Sequence, residues 1–289
     1  MRGSAPRVAV VGHVEWVEFA LVDEMPWPGE IVPTREVFAE AAGGGAVAAV
    51  QLARLAGESV LVTALGEDDL GRRAKARLEQ LGVHVRAAYR SQPTSRALTL
   101  VDGREGERTI VTIGERLEPS GSDAELGWGD LADMDAVYFT AGDVAALRAA
   151  RAAAKLLASP RAQSALGHGV ALDALVGSRA DSGEMRQAMG VRGEAAALVH
   201  TNGEHGGSYE LAGDRRAPPR TWEATAPPGP TVDSYGCGDS FAAALTYGLG
   251  CGWELSRALS LAARAGAACV TGRGPYERQL RFSGAERPL

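Results

Sequence analysis

The chain has 289 residues, 45% of them hydrophobic and 23% charged, with a formal net charge of −6 and a sequence pI of about 5.5. This acidic balance argues against a nucleic-acid partner, and no apolar run reaches the roughly 18–20 residues that span a bilayer. Three cysteines without metal-ligand spacing, and a first segment unlike a signal peptide, lead us to expect a cytoplasmic protein.

Strand and helix patterns alternate along most of the chain. Short β-branched runs ended by glycine indicate strands, whereas Ala-rich and amphipathic runs indicate helices. In chain order the patterns predict strands at 7–12, 59–65, 83–87, 97–102, 109–113, 135–140, 169–172 and 195–201, and helices at 43–55, 69–81, 144–158, 183–189, 239–250 and 254–270.

This alternation predicts a mainly parallel sheet that is covered by helices on both faces. Two strand-rich segments, near 13–38 and 96–113, interrupt it and predict a small sheet packed as a lid. No internal repeat and no convincing linker divides the sequence. We therefore expect a single α/β domain over residues 1–289.

The most informative motif is the turn at 236–238, which precedes Asp239 and an apolar helix. Gly236 and Gly238 have no side chains to block the approach of backbone N–H groups, and the following helix adds unsatisfied N–H groups and a positive dipole end. The turn therefore predicts an anion site. A carboxylate beside it can accept a proton from a hydroxyl while the site holds a transferring phosphoryl group. The structural alternative is that Asp239 is only a helix N-cap.

Four blocks resemble the ribokinase-like carbohydrate kinases, also called the phosphofructokinase-B type. They are, in order, GGGAVAAVQLARLAG, LVTALGEDDLG, VHTNGEHGGSYE and DSYGCGDSFAAALTYGL. The resemblance covers almost the whole chain and implies a three-layer α/β/α fold with a small β-sheet lid. It also implies phosphoryl transfer from ATP, with Mg²⁺, to a hydroxyl of a sugar or sugar-like molecule, and a homodimer formed through the lid.

The resemblance also implies roles for particular residues. In relatives the matching positions supply a catalytic base with its anion hole, contacts to nucleotide phosphates, and in some cases a site for a monovalent cation such as K⁺. The corresponding residues here are, for catalysis, Asp239, Gly236, Cys237 and Gly238; for the nucleotide, Thr201, Gly203 and Gly206; and for the monovalent cation, Asp233.

Two acceptor-binding positions depart from the family pattern. Val47 stands where relatives usually have a sugar-binding Asn, and Val17 stands where they usually have an Asp. Valine offers no hydrogen bond, so we expect an acceptor with fewer hydroxyls on one face, or one contacted by other groups. Glu15 and Glu18 are the candidates for these contacts, with Trp16 or Trp27 as an apolar wall; the alternative for both glutamates is a solvated or lid-bracing role. Gly43 and Gly44 are further acceptor-side candidates, with close packing as their alternative role.

The magnesium motif is altered as well. The family's Asn-x-x-Glu, which organises the water shell of Mg²⁺, appears here as Ser178-Arg179-Ala180-Asp181. The carboxylate of Asp181 could still reach the metal through water, and the alternative for Ser178 and Asp181 is a plain loop and helix cap.

A second function class remains open at this point: a catalytically weak relative that binds nucleotide or a metabolite as a regulator. The two valines favour it, and the retained Gly-Cys-Gly-Asp opposes it. A nicotinamide-dependent enzyme is excluded because the first strand is followed by Gly12-His13-Val14-Glu15 and not by G-x-G-x-x-G. No phosphate-binding GxxxxGK[ST] motif occurs either.

Overall fold

The computed structural model describes residues 5–214 and 216–282, and its helices and strands follow one another along most of that length. The strands are β1 (Val8–Val11), β2 (Glu15–Val22), β3 (Glu36–Ala42), β4 (Ser59–Gly66), β5 (Val83–Arg90), β6 (Arg96–Asp102), β7 (Arg108–Ile113), β8 (Ala136–Phe139), β9 (Leu156–Ala158), β10 (Leu172–Ser178), β11 (Ala195–Thr201), β12 (Gly207–Leu211) and β13 (Arg220–Trp222). The helices are α1 (Gly44–Ala56), α2 (Asp69–Gln80), α3 (Val144–Ala150), α4 (Ser182–Val191), α5 (Cys237–Gly250) and α6 (Leu255–Cys269).

The larger sheet has nine strands in the order β13-β12-β11-β10-β9-β8-β1-β4-β5. Every neighbouring pair from β11 to β5 is parallel, whereas β12 and β13 are added antiparallel at one edge. Two separate apolar clusters cover its faces, one with α1, α2, α5 and α6 and the other with α3 and α4. Alternate residues of β1 enter opposite clusters, as expected for a strand buried on both faces. The three-layer α/β/α fold is thereby confirmed.

The smaller sheet has the order β3-β2-β6-β7. Its strands β2, β6 and β7 lie within the two segments that interrupt the alternation, whereas β3 extends to Ala42, beyond the predicted end of the first segment at residue 38. Its strand β2 is almost wholly buried, whereas every residue of β7 is exposed. Phe19 of β2 stacks on Phe38 of β3 at 4.7 Å and meets the edge of Tyr235 at 4.9 Å. The small sheet therefore packs directly against the segment that precedes α5. Its action as a lid stays a prediction.

Two predicted elements differ from the structure. The helix predicted over 144–158 ends at Ala150, and residues 156–158 form β9 between β8 and β10. A three-residue buried strand is too short to have a period, so an Ala-rich sequence gave no signal for it. The strand predicted at 169–172 lies instead at Leu172–Ser178. No helix in the described ranges is long and apolar enough to cross a membrane.

Candidate active site

The site lies where the carboxyl ends of the parallel strands meet. The strands β1, β8, β9, β10 and β11 run in one direction, so the segments that follow them lie at the same edge of the sheet. Open α/β sheets bind ligands outside this edge. The candidate residues that follow these strands are His13 and Glu15 after β1, Arg161 after β9, Ser178 and Asp181 at β10, and Thr201 and Gly203 at β11.

The turn before α5 requires glycine at one position. Gly236 has φ = +79°, and a β-carbon built on it would lie 2.8 Å from Cγ1 of Val47. Gly236 is the N-cap of α5 and offers no side-chain cap, so the first N–H groups of the helix are not capped by a side chain. Gly238 is exposed, with no atom of a described neighbour within 4 Å of its β-position. The turn therefore has the open backbone that an anion site needs.

Asp239 lies in the first turn of α5 and is not the N-cap, so the structural alternative for this residue is wrong. Its carboxylate is half-buried beside the start of α1, where a β-carbon on Gly44 would come within 3.0 Å of Oδ1. Loss of solvation raises the pKa of Asp239 to about 6, against the opposing charges of Arg161 and Arg108. At neutral pH the group is mostly ionised but holds a proton well, which suits a general base.

His13 is a site residue that the sequence reading missed. Its buried ring packs on the Gly43-Gly44 turn, and Nε2 accepts the Gly44 N–H at 3.2 Å. Burial, followed by the charges of Arg116 and Arg161, lowers the pKa of His13 to about 3, so the ring is neutral. The hydrogen bond from Gly44 assigns the proton to Nδ1. The only signal in the sequence was a histidine directly after the glycine that ends β1.

Glu15 lies close to the same cleft and is buried, with 7% exposure. Burial raises the pKa of Glu15, and Asp239 raises it further, whereas Arg116 and Arg161 lower it. Within residues 5–214 and 216–282 its carboxylate has no hydrogen-bond or ion-pair partner. The position is consistent with the predicted role of an acceptor contact.

The structure does not bring the side chain of Val17 or Val47 to the surface. Their place at acceptor-binding positions stays a prediction. Both have 0% exposure. Val17 is buried within β2, and Val47 is in α1 with its side chain packed under Gly236. The apolar side chain at each position is thus turned into the core.

Ser178 and Asp181 do come together at the end of β10. The Oγ of Ser178 accepts the Ala180 N–H at 3.2 Å. Asp181 is the N-cap of α4, where Oδ1 accepts the N–H groups of Gly183 and Glu184 at 2.8 and 3.1 Å. These hydrogen bonds lower the pKa of Asp181, aided by the charge of Arg161. The helix-cap alternative for Asp181 is therefore confirmed.

An arginine completes this cluster. Arg161 donates from Nη2 to Oδ2 of Asp181 at 2.7 Å, and its Nε forms an ion pair with Oε1 of Glu184. The other oxygen of Glu184 accepts the Ser178 N–H at 2.7 Å. The cluster borders a cavity of about 260 Å³, lined by Arg116, Arg161, Gln163, Asp181, Gly183 and Glu184.

These residues do not fit a protein-organised magnesium shell. Each oxygen of Asp181 and Glu184 already accepts from a backbone N–H or from Arg161. A guanidinium in contact with both carboxylates also opposes a divalent cation at the same place. Within the described residues, no group of three or more His, Cys, Asp or Glu side chains could hold a metal ion.

The predicted nucleotide residues divide into two sets. Thr201 ends β11 beside Ser178, and Gly203 follows in an exposed turn with φ = +55°. Both lie at the carboxyl edge of the sheet. Gly206 is buried, and a β-carbon on it would come within 2.2 Å of the Trp222 carbonyl oxygen. That glycine is required for packing of the β11–β12 turn and does not lie on the open surface.

Asp233 is buried and fixes the approach to the turn. Its Oδ1 accepts the Tyr235 N–H at 2.8 Å, and its Oδ2 accepts the Gly274 N–H at 3.1 Å. Burial raises the pKa of Asp233, although these hydrogen bonds oppose the shift. The carboxylate thus joins two loop segments, and its contact with a monovalent cation stays a prediction.

The thiol of Cys237 does not follow the usual rule for a helix N-terminus. A thiol there is expected to have a lowered pKa. Cys237 instead shares a hydrogen bond with the buried Cys269, and this bond, together with burial, raises the pKa of Cys237 well above its usual value. Cys237 is thus a small packing residue within the turn.

The chain matches a known protein family over most of its length. A model of the family described as pfkB family carbohydrate kinase matches residues 5–177 and 172–280. Acarbose 7(IV)-phosphotransferase of Actinoplanes sp. is 40% identical over 80 residues, a match that spans only 28% of this chain and 26% of that relative.

Two solved structures have the same fold. Ribokinase of Arabidopsis thaliana, complexed with ribose and ATP, has a TM-score of 0.72 at 19% identity and is matched over 96% of both chains. The microbiome-derived acarbose kinase Mak1 has a TM-score of 0.75 at 23% identity, again over 96% of both chains. At these identities the likeness establishes the fold.

Proposed function

The chain belongs to the pfkB family of carbohydrate kinases, and from this premise we propose that it transfers the terminal phosphoryl group of ATP to a hydroxyl of a sugar or sugar-like small molecule. The observation that carries the proposal is the position of Asp239. Its carboxylate lies in the first turn of α5, beside the uncapped N-terminal backbone of that helix and against the Gly43-Gly44 turn. A base and an anion site therefore face the same cleft.

Asp239 accepts the proton of the acceptor hydroxyl, and the hydroxyl oxygen forms a bond to the terminal phosphorus as the bond to the bridging oxygen of the nucleotide breaks. The N–H groups at 236–239 receive the negative charge of the transferring group. Because this chemistry needs little covalent participation from the protein, placement and charge supply most of the rate. Any Mg²⁺ would be supplied by the nucleotide and would neutralise phosphate charge there, because the carboxylate oxygens of Asp181 and Glu184 already accept hydrogen bonds from Arg161 and from backbone N–H groups.

Acceptor recognition is assigned to Glu15, with Thr201 and Gly203 on the nucleotide side. The N–H groups of Gly43 and Gly44 already donate to Tyr235 and His13, so these glycines would give the acceptor room and no hydrogen bond. The buried carboxylate of Glu15, which has no hydrogen-bond partner among the described residues, would accept a hydrogen bond from an acceptor hydroxyl. The names of the relatives suggest ribose and acarbose as the first acceptors to try.

A homodimer through the small sheet is part of the proposal. The edge strand β7 is exposed on both faces and carries Ile110, Val111 and Ile113 at 42%, 53% and 43% exposure. An edge strand with apolar side chains is a template for pairing with another chain. Val111→Glu should convert a dimer to a monomer in light scattering coupled to size-exclusion chromatography, with the exposed Thr109→Glu as control. A monomeric wild-type chain would contradict this part.

The alternative is a regulator that binds nucleotide without turnover, which the apolar residues at positions 17 and 47 favour. One assay distinguishes the kinase from the regulator. ADP formation is measured with ATP, Mg²⁺ and a panel of D-ribose, D-fructose, fructose 6-phosphate, adenosine and acarbose, using Asp239→Asn as control. Acceptor-dependent ADP release that is lost in the variant supports the kinase. Nucleotide binding without release for any acceptor supports the regulator.

A further inference from the structure

The motif that should organise magnesium is occupied by a side chain of the protein itself. Arg161 follows β9, and its guanidinium contacts Asp181 through Nη2 and Glu184 through Nε. Both carboxylates are in turn held by backbone N–H groups at the start of α4 and the end of β10. The guanidinium is therefore anchored on one edge by two carboxylates that cannot easily move.

The other edge of this guanidinium is open. Its Nη1 has no partner among residues 5–214 and 216–282, and the side chain lines the 260 Å³ cavity together with Arg116 and Gln163. The charge of Arg161 also acts on the carboxylate of Asp239, where it opposes the rise in pKa that burial causes. A phosphate oxygen in the cavity would therefore meet the unpaired edge of an anchored cation.

We propose that Arg161 binds the terminal phosphate of the nucleotide directly, and that Asp181 and Glu184 hold this arginine instead of organising a magnesium shell. The inference rests on the proposed kinase function, since it assigns the ligand of that same cleft. An arginine presents planar N–H donors that suit phosphate oxygens, and its charge persists at every physiological pH. Two carboxylates on its far edge fix its orientation before the nucleotide arrives.

Binding of the nucleotide without metal separates this arrangement from a metal shell. A protein that organises Mg²⁺ through carboxylates binds ATP poorly in EDTA, because the carboxylates then face the phosphates without a cation between them. A protein with a built-in guanidinium retains part of its affinity. The measurement is calorimetric titration of ATP into the full chain, in EDTA and in Mg²⁺, and it requires neither an acceptor nor turnover.

Arg161→Gln should weaken the binding of ATP in EDTA by about tenfold or more, the loss expected for a hydrogen bond to a charged group. Arg161→Lys, which keeps a charge, should recover part of the loss. Arg151→Gln is the matched control, since Arg151 forms a 2.8 Å ion pair with Asp173 near the opposite end of β10. It should leave the affinity unchanged, and the melting temperature of each variant reports on folding.

Asp181→Asn tests whether Asp181 anchors Arg161 or organises Mg²⁺. If Asp181 only anchors Arg161, this variant should leave the Mg²⁺ concentration for half-maximal ATP binding within about twofold of the wild type. A large rise in that concentration for Asp181→Asn, with no effect of Arg161→Gln in EDTA, would overturn the inference and restore the metal shell. Failure of the wild type to bind ATP under either condition would instead contradict the proposed function.

Discussion

Gly44→Ala should reduce activity while leaving the fold intact or more stable. Gly44 is the first residue of α1 and does not need a left-handed φ, so alanine is compatible with its backbone. A Gly→Ala change in a helix stabilises by up to about 1 kcal/mol. The added methyl would, however, lie 3.0 Å from Oδ1 of Asp239 and 3.4 Å from Cε1 of His13. The carboxylate must therefore move by a few tenths of an ångström.

A shift of about 1 Å in a reacting group can cost roughly 100-fold in rate, so we expect kcat/KM to fall by about tenfold for the smaller shift here. The assay is acceptor-dependent ADP release, paired with thermal unfolding. Gly190→Ala is the matched control, because Gly190 lies in α4 with no described neighbour within 4 Å of its β-position. It should raise stability without loss of activity. Full activity in Gly44→Ala would refute the placement of Asp239 as the reacting base.

Three further outcomes follow from the electrostatics of the turn. Because the pKa of Asp239 is about 6 in the chain without substrate, kcat/KM should rise with pH through that value and then level off. A kcat/KM profile that is flat from about pH 5 to 8 would contradict its role as base. Because the pKa of Asp239 is raised in the folded chain, its ionised carboxylate lowers the free energy of unfolding above about pH 6 and has no such effect below the ordinary pKa of 3.8. Asp239→Asn should therefore raise the melting temperature at about pH 8 but not at about pH 3.5. The Cys237 thiol should react with iodoacetamide more slowly than free cysteine, because its pKa is raised. Cys269→Ser should speed this reaction, since it removes the sulfur that shares the hydrogen bond with Cys237. Fast labelling of Cys237 in the wild type would disprove the raised pKa.

Most of the architecture could be read from periodicity. The helices α1, α2, α5 and α6 lie within a few residues of their predicted ranges because each has a long apolar face or run. The failures have physical causes. The strand β9 is three residues long, and no local pattern separates Leu156–Ala158 from the Ala-rich helix before it.

The sequence predicted the site only where the backbone conformation requires a particular residue type, such as glycine. Gly236 revealed the turn before α5, since its φ of +79° and the closeness of Val47 leave no room for a side chain there. Arg161 left no comparable signal, because its partners Asp181 and Glu184 lie 20 and 23 residues away and meet it only after β9 and β10 pair. Charge clusters of this kind depend on tertiary contacts, which one sequence does not reveal.

Val47 of α1 packs against the turn at Gly236 that precedes α5. Its Cγ1 would lie 2.8 Å from a β-carbon on Gly236, and Cβ of Pro275 would lie 3.2 Å from the same point. The turn at Gly236 therefore packs on an apolar surface. A buried Asn at position 47 would need a hydrogen-bond partner there, whereas valine needs none. Valine at position 47 is thus compatible with the apolar packing under Gly236. Under the proposed function, hydrogen bonding to the acceptor is left to Glu15.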